Sequence, residues 1–415
     1  MIKKDANNNC TIKHGMNPLK VKPRTGDSIW YYSRLFGVRM ELLKQANNEL
    51  DEKNLTQDSE VGIAGFVREA YEVKKGDTAF SIARSLHIGL DALYLVNHKK
   101  DLTMLYTGDT IDIPRRLTSR IVDPSRKYDS SVFKEDLDCL KVVYPFLECS
   151  TIGQSVMGKQ IHHLKIGKGK KKIHWNGSFH ANEWITSSVI MTFLNDYLLA
   201  LTNNMPMRGV PVYPLFEQVT LSIVPMVNPD GVDLVLSGPT KDDFYNKEVE
   251  VINRDHPDFT GWKANIRGVD LNNQFPAKWE IEKERKEPKA PAPRDYPGDN
   301  PLTEPEVIAM AELAKRENFD MVVAFHTQGE EFYWGYEGFE PDEAERMAVE
   351  FERVSTYKSV RYVDSHAGFK DWFIQEFKKP GFTLELGKGI NPLPLSQFGN
   401  IYQKVYGICL ASLYI

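Results

Sequence analysis

The sequence predicts an α/β protein: one sizeable α/β domain preceded by two small α+β modules. Three observations carry this. The first 115 residues contain an internal repeat; Ile173–Phe179 and Met321–Phe325 read as buried strands; and about 290 residues follow a Pro-containing polar linker, enough for one large core. The length of 415 residues agrees with two or three domains at roughly 150 residues each.

The repeat comes first in the chain. Thr25-Gly-Asp-Ser-Ile-Trp-Tyr-Tyr-Ser-Arg34 matches Lys75-Gly-Asp-Thr-Ala-Phe-Ser-Ile-Ala-Arg84 at an offset of 50, and Leu43 and Asn47 match Leu93 and Asn97 at the same offset. Each unit reads as a short strand (Tyr71–Val73 in the second), a Gly-Asp turn with Ser28 or Thr78 placed to cap a helix, a second helix (Asp91–Val96) and a closing strand (Thr107–Pro114). In the first helix of the second unit, Phe80, Ile82, Ala83 and Leu86 have the spacing of a buried face. The first unit is degenerate at its end, where Val61–Gly65 stands in for the closing strand.

This strand–helix–helix–strand unit resembles the LysM module, over residues 19–66 and 69–115. The resemblance implies binding to N-acetylglucosamine-containing glycans such as peptidoglycan. A pair of packing domains without ligand is the alternative. Residues 116–127, polar and without periodicity, read as a linker to a domain at 128–415.

Within that domain, Ile173–Phe179 ends in a Gly turn and Trp184–Leu201 reads as a helix, so His180 and Glu183 sit at a strand-to-helix junction. At i, i+3 on a turn, an imidazole and a carboxylate can converge on one cation. Met321–Phe325 reads as a strand buried on both faces, and His326 lies at its C-terminal end, where open α/β sheets place their sites. Two histidines and a glutamate with an open fourth position form a catalytic zinc set. Glu385 stands in the apolar strand Pro380–Gly387, where a lone carboxylate is costly unless it has a task. Beside a metal ion it can act as general base, taking a proton from an activated water and giving it to the leaving amine.

Together, His180-x-x-Glu183, His326 and Thr383-x-Glu385, with Val227-Asn-Pro-Asp-Gly231 and Gly268-Val-Asp-Leu-Asn272, resemble the zinc carboxypeptidase family from Tyr128 to Ile415. The resemblance implies an α/β sandwich around a mixed eight-stranded sheet and one zinc ion per chain.

Two departures bear on substrate. The resemblance leads us to expect Asn-Arg to grip a C-terminal carboxylate, but this chain has Asn272-Asn273. Asparagine cannot supply the guanidinium fork. The position before Asp371-Trp372, which sets side-chain preference in the family, is Lys370: either a solvated lysine or a cation facing an acidic substrate group. Ala367–Phe377 and Trp262–Asn272 look like the LysM-bearing bacterial γ-D-glutamyl-meso-diaminopimelate endopeptidases, which cut peptidoglycan stem peptides. From the resemblance, Arg267 is the candidate to polarise the scissile carbonyl, with Arg254 as runner-up. Asn272, Asn273, Lys370, Tyr362 and His366 are candidates to bind substrate, Tyr362 or His366 as the cap. A metallocarboxypeptidase on ordinary peptides and a non-catalytic cell-wall binding protein are the competing readings.

Composition excludes other classes. A net charge of −5 offers no basic surplus for nucleic acid. No apolar run in the sequence approaches the roughly 18 residues of a membrane span, so no integral membrane association is expected. Charge at Lys3 and Lys4 is followed by no apolar core, so no signal peptide is expected, and the chain reads as cytoplasmic or spore- or cell-wall-associated. Cys10, Cys139, Cys149 and Cys409 form no C-x-x-C pair and read as thiols in a reducing compartment, with a Cys139–Cys149 bridge as the alternative.

Overall fold

A computed structural model describes residues 17–51, 55–56, 58–239 and 243–415; Cys10 lies outside them. Packing divides the chain into two compact units, one formed by 1–122, 135–148 and 195–213, the other by 123–134, 149–194 and 214–415.

The first unit holds the repeat. Strand β1 (Asn17–Val21), helices α1 (Ile29–Phe36) and α2 (Met40–Ala46), strand β2 (Val61–Glu72), helices α3 (Ala79–Ser85) and α4 (Leu90–Val96) and strand β3 (Thr110–Arg116) follow in order. The three strands form one antiparallel sheet, β1-β2-β3. The repeat is visible in its bonding. Asn47 donates to the carbonyls of Leu43 and Gly62 and accepts from the Gly62 amide; Asn97 does the same with Leu93 and Asp112. Ser28 and Thr78 cap α1 and α3 by accepting from the amides of Tyr31 and Ser81.

Two expectations change here. The closing strand of the first module and the opening strand of the second are one continuous element, the 12-residue β2. Phe80 and Leu86 do not face the core. Ala79, Ile82 and Ala83 fill it, while Phe80 is 62% exposed, as is its repeat partner Trp30. A seven-residue helix buries one narrow stripe, and the residue next to its first buried position points outward. The linker is also fixed rather than loose. Arg120 pairs with Asp196 at 2.5 and 2.7 Å, and the amides of Ile121 and Val122 donate to Asn195.

The second unit is built on an eight-stranded mixed sheet, as expected. Its strands are β4 (Glu148–Gln154), β5 (Gln160–Gly167), β6 (Lys171–Gly177), β7 (Val219–Val224), β8 (Met321–His326), β9 (Glu331–Tyr333), β10 (Lys358–Val360) and β11 (Gly381–Glu385), in the spatial order β10-β9-β11-β8-β6-β7-β5-β4. The central four, β11-β8-β6-β7, run parallel. Strand β8 is buried at all six positions, as a parallel strand covered on both faces should be. The core beneath joins Phe179, Val224, Phe275, Val322, Phe369 and Trp372. A helix at Ala181–Asn203 has the length and apolar character of a membrane span, but most of it is buried inside the protein. None of Cys139, Cys149 and Cys409 is in a disulfide, so the Cys139–Cys149 bridge does not form.

Candidate metal centre

The parallel register brings the site together. His326 ends β8 directly beside Glu385, which ends β11, while β6 runs on the other side of β8. After Gly177 the chain turns through Ser178 at φ 50° and delivers His180 and Glu183 on a short 3₁₀ turn. The turn is splinted. The Ser178 amide donates to Thr186 Oγ1, which itself donates to the Glu183 carbonyl; the amides of Val227 and Asn228 donate to the carbonyls of Gly177 and Ser178. The Val227–Gly231 segment thus has a structural task. Gly231 must lack a side chain, because a Cβ there would lie 2.7 Å from the Ala264 carbonyl and 2.8 Å from Ala181 Cβ.

His180, Glu183 and His326 offer three ligand atoms within 4.8 Å of one another, all buried. The two imidazoles present the same atom: Nδ1 of His180 is 2.9 Å from Glu183 Oε1, and Nδ1 of His326 is 2.9 Å from Oε2. The Nε2 of His180 lies 3.2 Å from Asp270 Oδ1. A carboxylate at Nε2 fixes the proton there and leaves the Nδ1 lone pair for a metal. This donor set, two imidazole nitrogens and one carboxylate converging at a strand-end recess, fits zinc.

The charges around the cluster are mutually set. Burial pushes the Glu183 carboxyl up, but His180 and His326 more than offset it and hold it below its ordinary value. Burial and the nearby Glu183 both push Glu385 well above the usual carboxylate range, against the pull of Lys263. Burial lowers His326 despite Glu183, whereas burial of His180 is outweighed by Glu183 and Asp270, which raise it.

Sequence reasoning missed two members. Asp270 is fully buried, and its second oxygen lies 3.0 Å from the ammonium of Lys263. Burial opposes the charge on Lys263, but Asp270, Asp295 and Glu183 restore it and raise its pKa. The carbonyl of Lys263 also accepts from the Ala181 amide, tying its segment to the metal turn. Arg267, by contrast, is placed beside Glu304 at 3.6 Å with its side chain 47% exposed. The runner-up Arg254 lies past the helix Asp243–Ile252 at a left-handed φ of 54°. Among the described residues, the cation tied to the cluster, through Asp270, is Lys263. A lysine between Trp262 and Ala264, seven residues before an aspartate, was the available signal.

The candidate substrate residues fall in one neighbourhood linked to the cluster through Asn272. The Asn272 amide donates to Asp270, and its side-chain oxygen accepts from the Phe369 amide at the start of the helix Phe369–Phe377. Lys370 on that helix is 4% exposed, so it is not a solvated surface lysine. Its ammonium lies 2.6 Å from Asp371 and donates to the Gly335 carbonyl. Tyr362 is half exposed, and its hydroxyl donates to Glu340. His366 is buried against the Tyr336 hydroxyl. Asn273 is buried too, and its side-chain NH₂ has no partner among the described residues.

Comparison with known proteins agrees with this geometry. Residues 134–405 match the zinc carboxypeptidase family model, and residues 24–56 and 71–114 match the LysM domain. The chain is 50% identical to Gamma-D-glutamyl-L-diamino acid endopeptidase 1 of Lysinibacillus sphaericus, over 94% of this chain and 99% of that one. It is 42% identical to protein YqgT of Bacillus subtilis, over 95% and 98% of the two chains. The fold matches bovine thrombin-activatable fibrinolysis inhibitor at a TM-score of 0.52 and 19% identity, covering 70% of this chain and 97% of that one.

Proposed function

Because this chain belongs to the zinc carboxypeptidase family and carries two LysM modules, we propose that it cuts peptidoglycan stem peptides between a γ-linked D-glutamyl residue and a diamino acid, meso-diaminopimelate. It is a zinc metallopeptidase, with His180, Glu183 and His326 as the residues that would hold the ion. The observation that carries the substrate is the 50% identity to the Lysinibacillus endopeptidase, which extends over modules and peptidase alike. The LysM modules hold the glycan and raise the local concentration of stems at the site.

When bound, zinc supplies Lewis-acid polarisation and lowers the pKa of water to about 7. The chain supplies the proton path and the placement. Glu385, register partner of His326, accepts a proton from the attacking water and passes it to the leaving amine. Lys263, permanently charged through Asp270, faces the oxyanion that develops on the scissile carbonyl, the role expected of Arg267. Asn273 in place of an arginine removes the clamp for a terminal α-carboxylate, which favours an endopeptidase over a carboxypeptidase on ordinary peptides. The buried Lys370–Asp371 pair supplies one positive and one negative group of the kind that would complement the carboxylate and ammonium of a diamino acid side chain.

Mass spectrometry of digested muropeptides tests this. The expected products end in γ-D-glutamate and begin with diaminopimelate; cleavage elsewhere in the stem, or of hippuryl-type peptides alone, refutes the substrate. Glu385→Gln retains zinc and loses at least about a hundredfold in kcat. Substantial residual turnover removes Glu385 from the chemistry.

A further inference from the structure

A groove of about 710 Å³ lies between the two modules of the first unit. It is walled by the C-terminal end of α1, the turn between α3 and α4, and strands β2 and β3. Its walls are held in fixed relation. Arg24 of the first module grips Asp91 of the second with both guanidinium nitrogens, at 2.8 and 2.7 Å, and Tyr31 donates to the same carboxylate. Strand β2 belongs to both modules.

The groove is electropositive in a chain whose net charge is −5. Arg115 is balanced by Glu69 at 2.5 Å. Arg116 and Arg34 are not balanced. The half-buried Arg116 stacks its guanidinium 4.6 Å from the Phe66 ring and donates to the backbone carbonyls of Phe36 and Thr202, with no carboxylate partner among the described residues. Burial alone pulls its pKa down, as befits a cation without a counter-charge. Arg34 is exposed on the rim and makes no hydrogen bond or ion pair among the described residues. The guanidinium fork of Arg34 can take a carboxylate in two parallel hydrogen bonds, and Arg116, whose terminal nitrogens are engaged with backbone carbonyls, adds its uncompensated charge to the same wall. The cleft of the second module, at Asp77, Thr78 and Leu102–Tyr106, is separate and has no cation in its lining.

We infer that the groove between the modules binds the carboxylate-bearing peptide stem of peptidoglycan, so that the modules read the stem as well as the sugar chain. This rests on the peptidoglycan reading above, and it adds an anionic subsite distinct from the catalytic recess.

The test uses the full chain carrying Glu385→Gln, titrated calorimetrically with a disaccharide–tetrapeptide muropeptide. A neutral chitooligosaccharide, a peptide-free glycan that keeps its lactyl carboxylate, and a free stem peptide serve as comparison ligands. Arg34→Glu is expected to weaken muropeptide binding about tenfold and stem binding in the same proportion, while chitooligosaccharide binding stays unchanged. Arg84→Glu, the same charge change at the matched repeat position outside the groove, is expected to leave all four ligands unaffected. Muropeptide binding weakens as salt rises, because the rim contact is screened. Equal muropeptide affinities for the Arg34→Glu and parent chains overturn the subsite. An equal Arg34 dependence for the peptide-free glycan overturns the stem as occupant. Failure of the cleavage reading shows separately, as absence of product from the unsubstituted enzyme, and leaves the binding comparison intact.

Discussion

Lys263 and Asp270 form a buried ion pair, 3.0 Å from ammonium to Oδ2, and the other oxygen of Asp270 lies 3.2 Å from Nε2 of His180. One carboxylate therefore meets both a candidate metal ligand and the cation of the same recess. Burial pushes Asp270 up, but Lys263 and His180 hold it well below the usual carboxylate range.

Asp270→Asn separates these two tasks. The amide oxygen can still accept from His180, but Lys263 is left buried without a counter-charge. Zinc affinity is expected to fall about 10–100-fold, and stability by about 3–5 kcal/mol. Chelator competition and thermal unfolding measure the two. Unaltered zinc affinity would mean that the charge of Asp270, as distinct from its acceptor oxygen, does not strengthen His180 as a ligand.

Lys263→Met is expected to lower kcat by about 10²–10³ with little change in KM, the pattern for a group that acts in the transition state. Lys263→Arg keeps the charge and recovers most of the rate. Arg267→Ala, on the exposed side chain beside Glu304, leaves kcat nearly unchanged. A large loss from Arg267→Ala together with a small one from Lys263→Met reverses the assignment.

Lys370→Met strands Asp371, which is 3% exposed, without its partner. Breaking a buried pair costs about 3–5 kcal/mol, whereas replacing both members is far milder. The double variant Lys370→Met/Asp371→Asn is therefore expected to recover most of the lost Tm. For the folded double variant, KM rises more for diaminopimelate stems than for analogues lacking the side-chain carboxylate. Equal changes in KM remove the pair from substrate recognition.

Glu306 gives the enzyme a pH-dependent stability. Burial pushes its pKa up to about 7, while the backbone amide of Val156 donates to one of its oxygens. The folded pKa exceeds the ordinary value of 4.5, so the folded state binds the proton more tightly. The stability from this proton is complete below pH about 4.5 and is lost as pH rises through about 7. At 1.36 kcal/mol per unit the loss is on the order of 3 kcal/mol. Glu306→Gln mimics the protonated acid, so its Tm advantage over the parent is expected to be near zero at pH 4 and to grow to a plateau above pH 7. An advantage independent of pH would show that Glu306 does not titrate in this window.

The cluster of His180, Glu183 and His326 was legible because its histidines follow a short-range pattern: a buried strand, then a histidine at or just past its end. His326 and Glu385 needed only the ends of β8 and β11. Lys263 was not legible, since its charge makes sense only against Asp270, which a turn brings back to it. The burial of Lys370 depends on the Gly335 carbonyl, 35 residues away in sequence, as well as on its neighbour Asp371. At Phe80 and Trp30 the helical period was right but its phase was set by packing, so both rings face outward.

Strand β2 has a consequence for how such modules are counted and exchanged. Its first part completes one repeat and its last part begins the next, so there is no hinge between them at which to cut. A truncation after residue 66 would split a hydrogen-bonded strand and leave a raw sheet edge on each fragment, the kind of surface that recruits other chains. Duplication or loss of a single repeat would have to splice within a strand and preserve its alternation. A chimera that transplants residues 17–116 whole, keeping β2 intact, is therefore the one expected to stay folded.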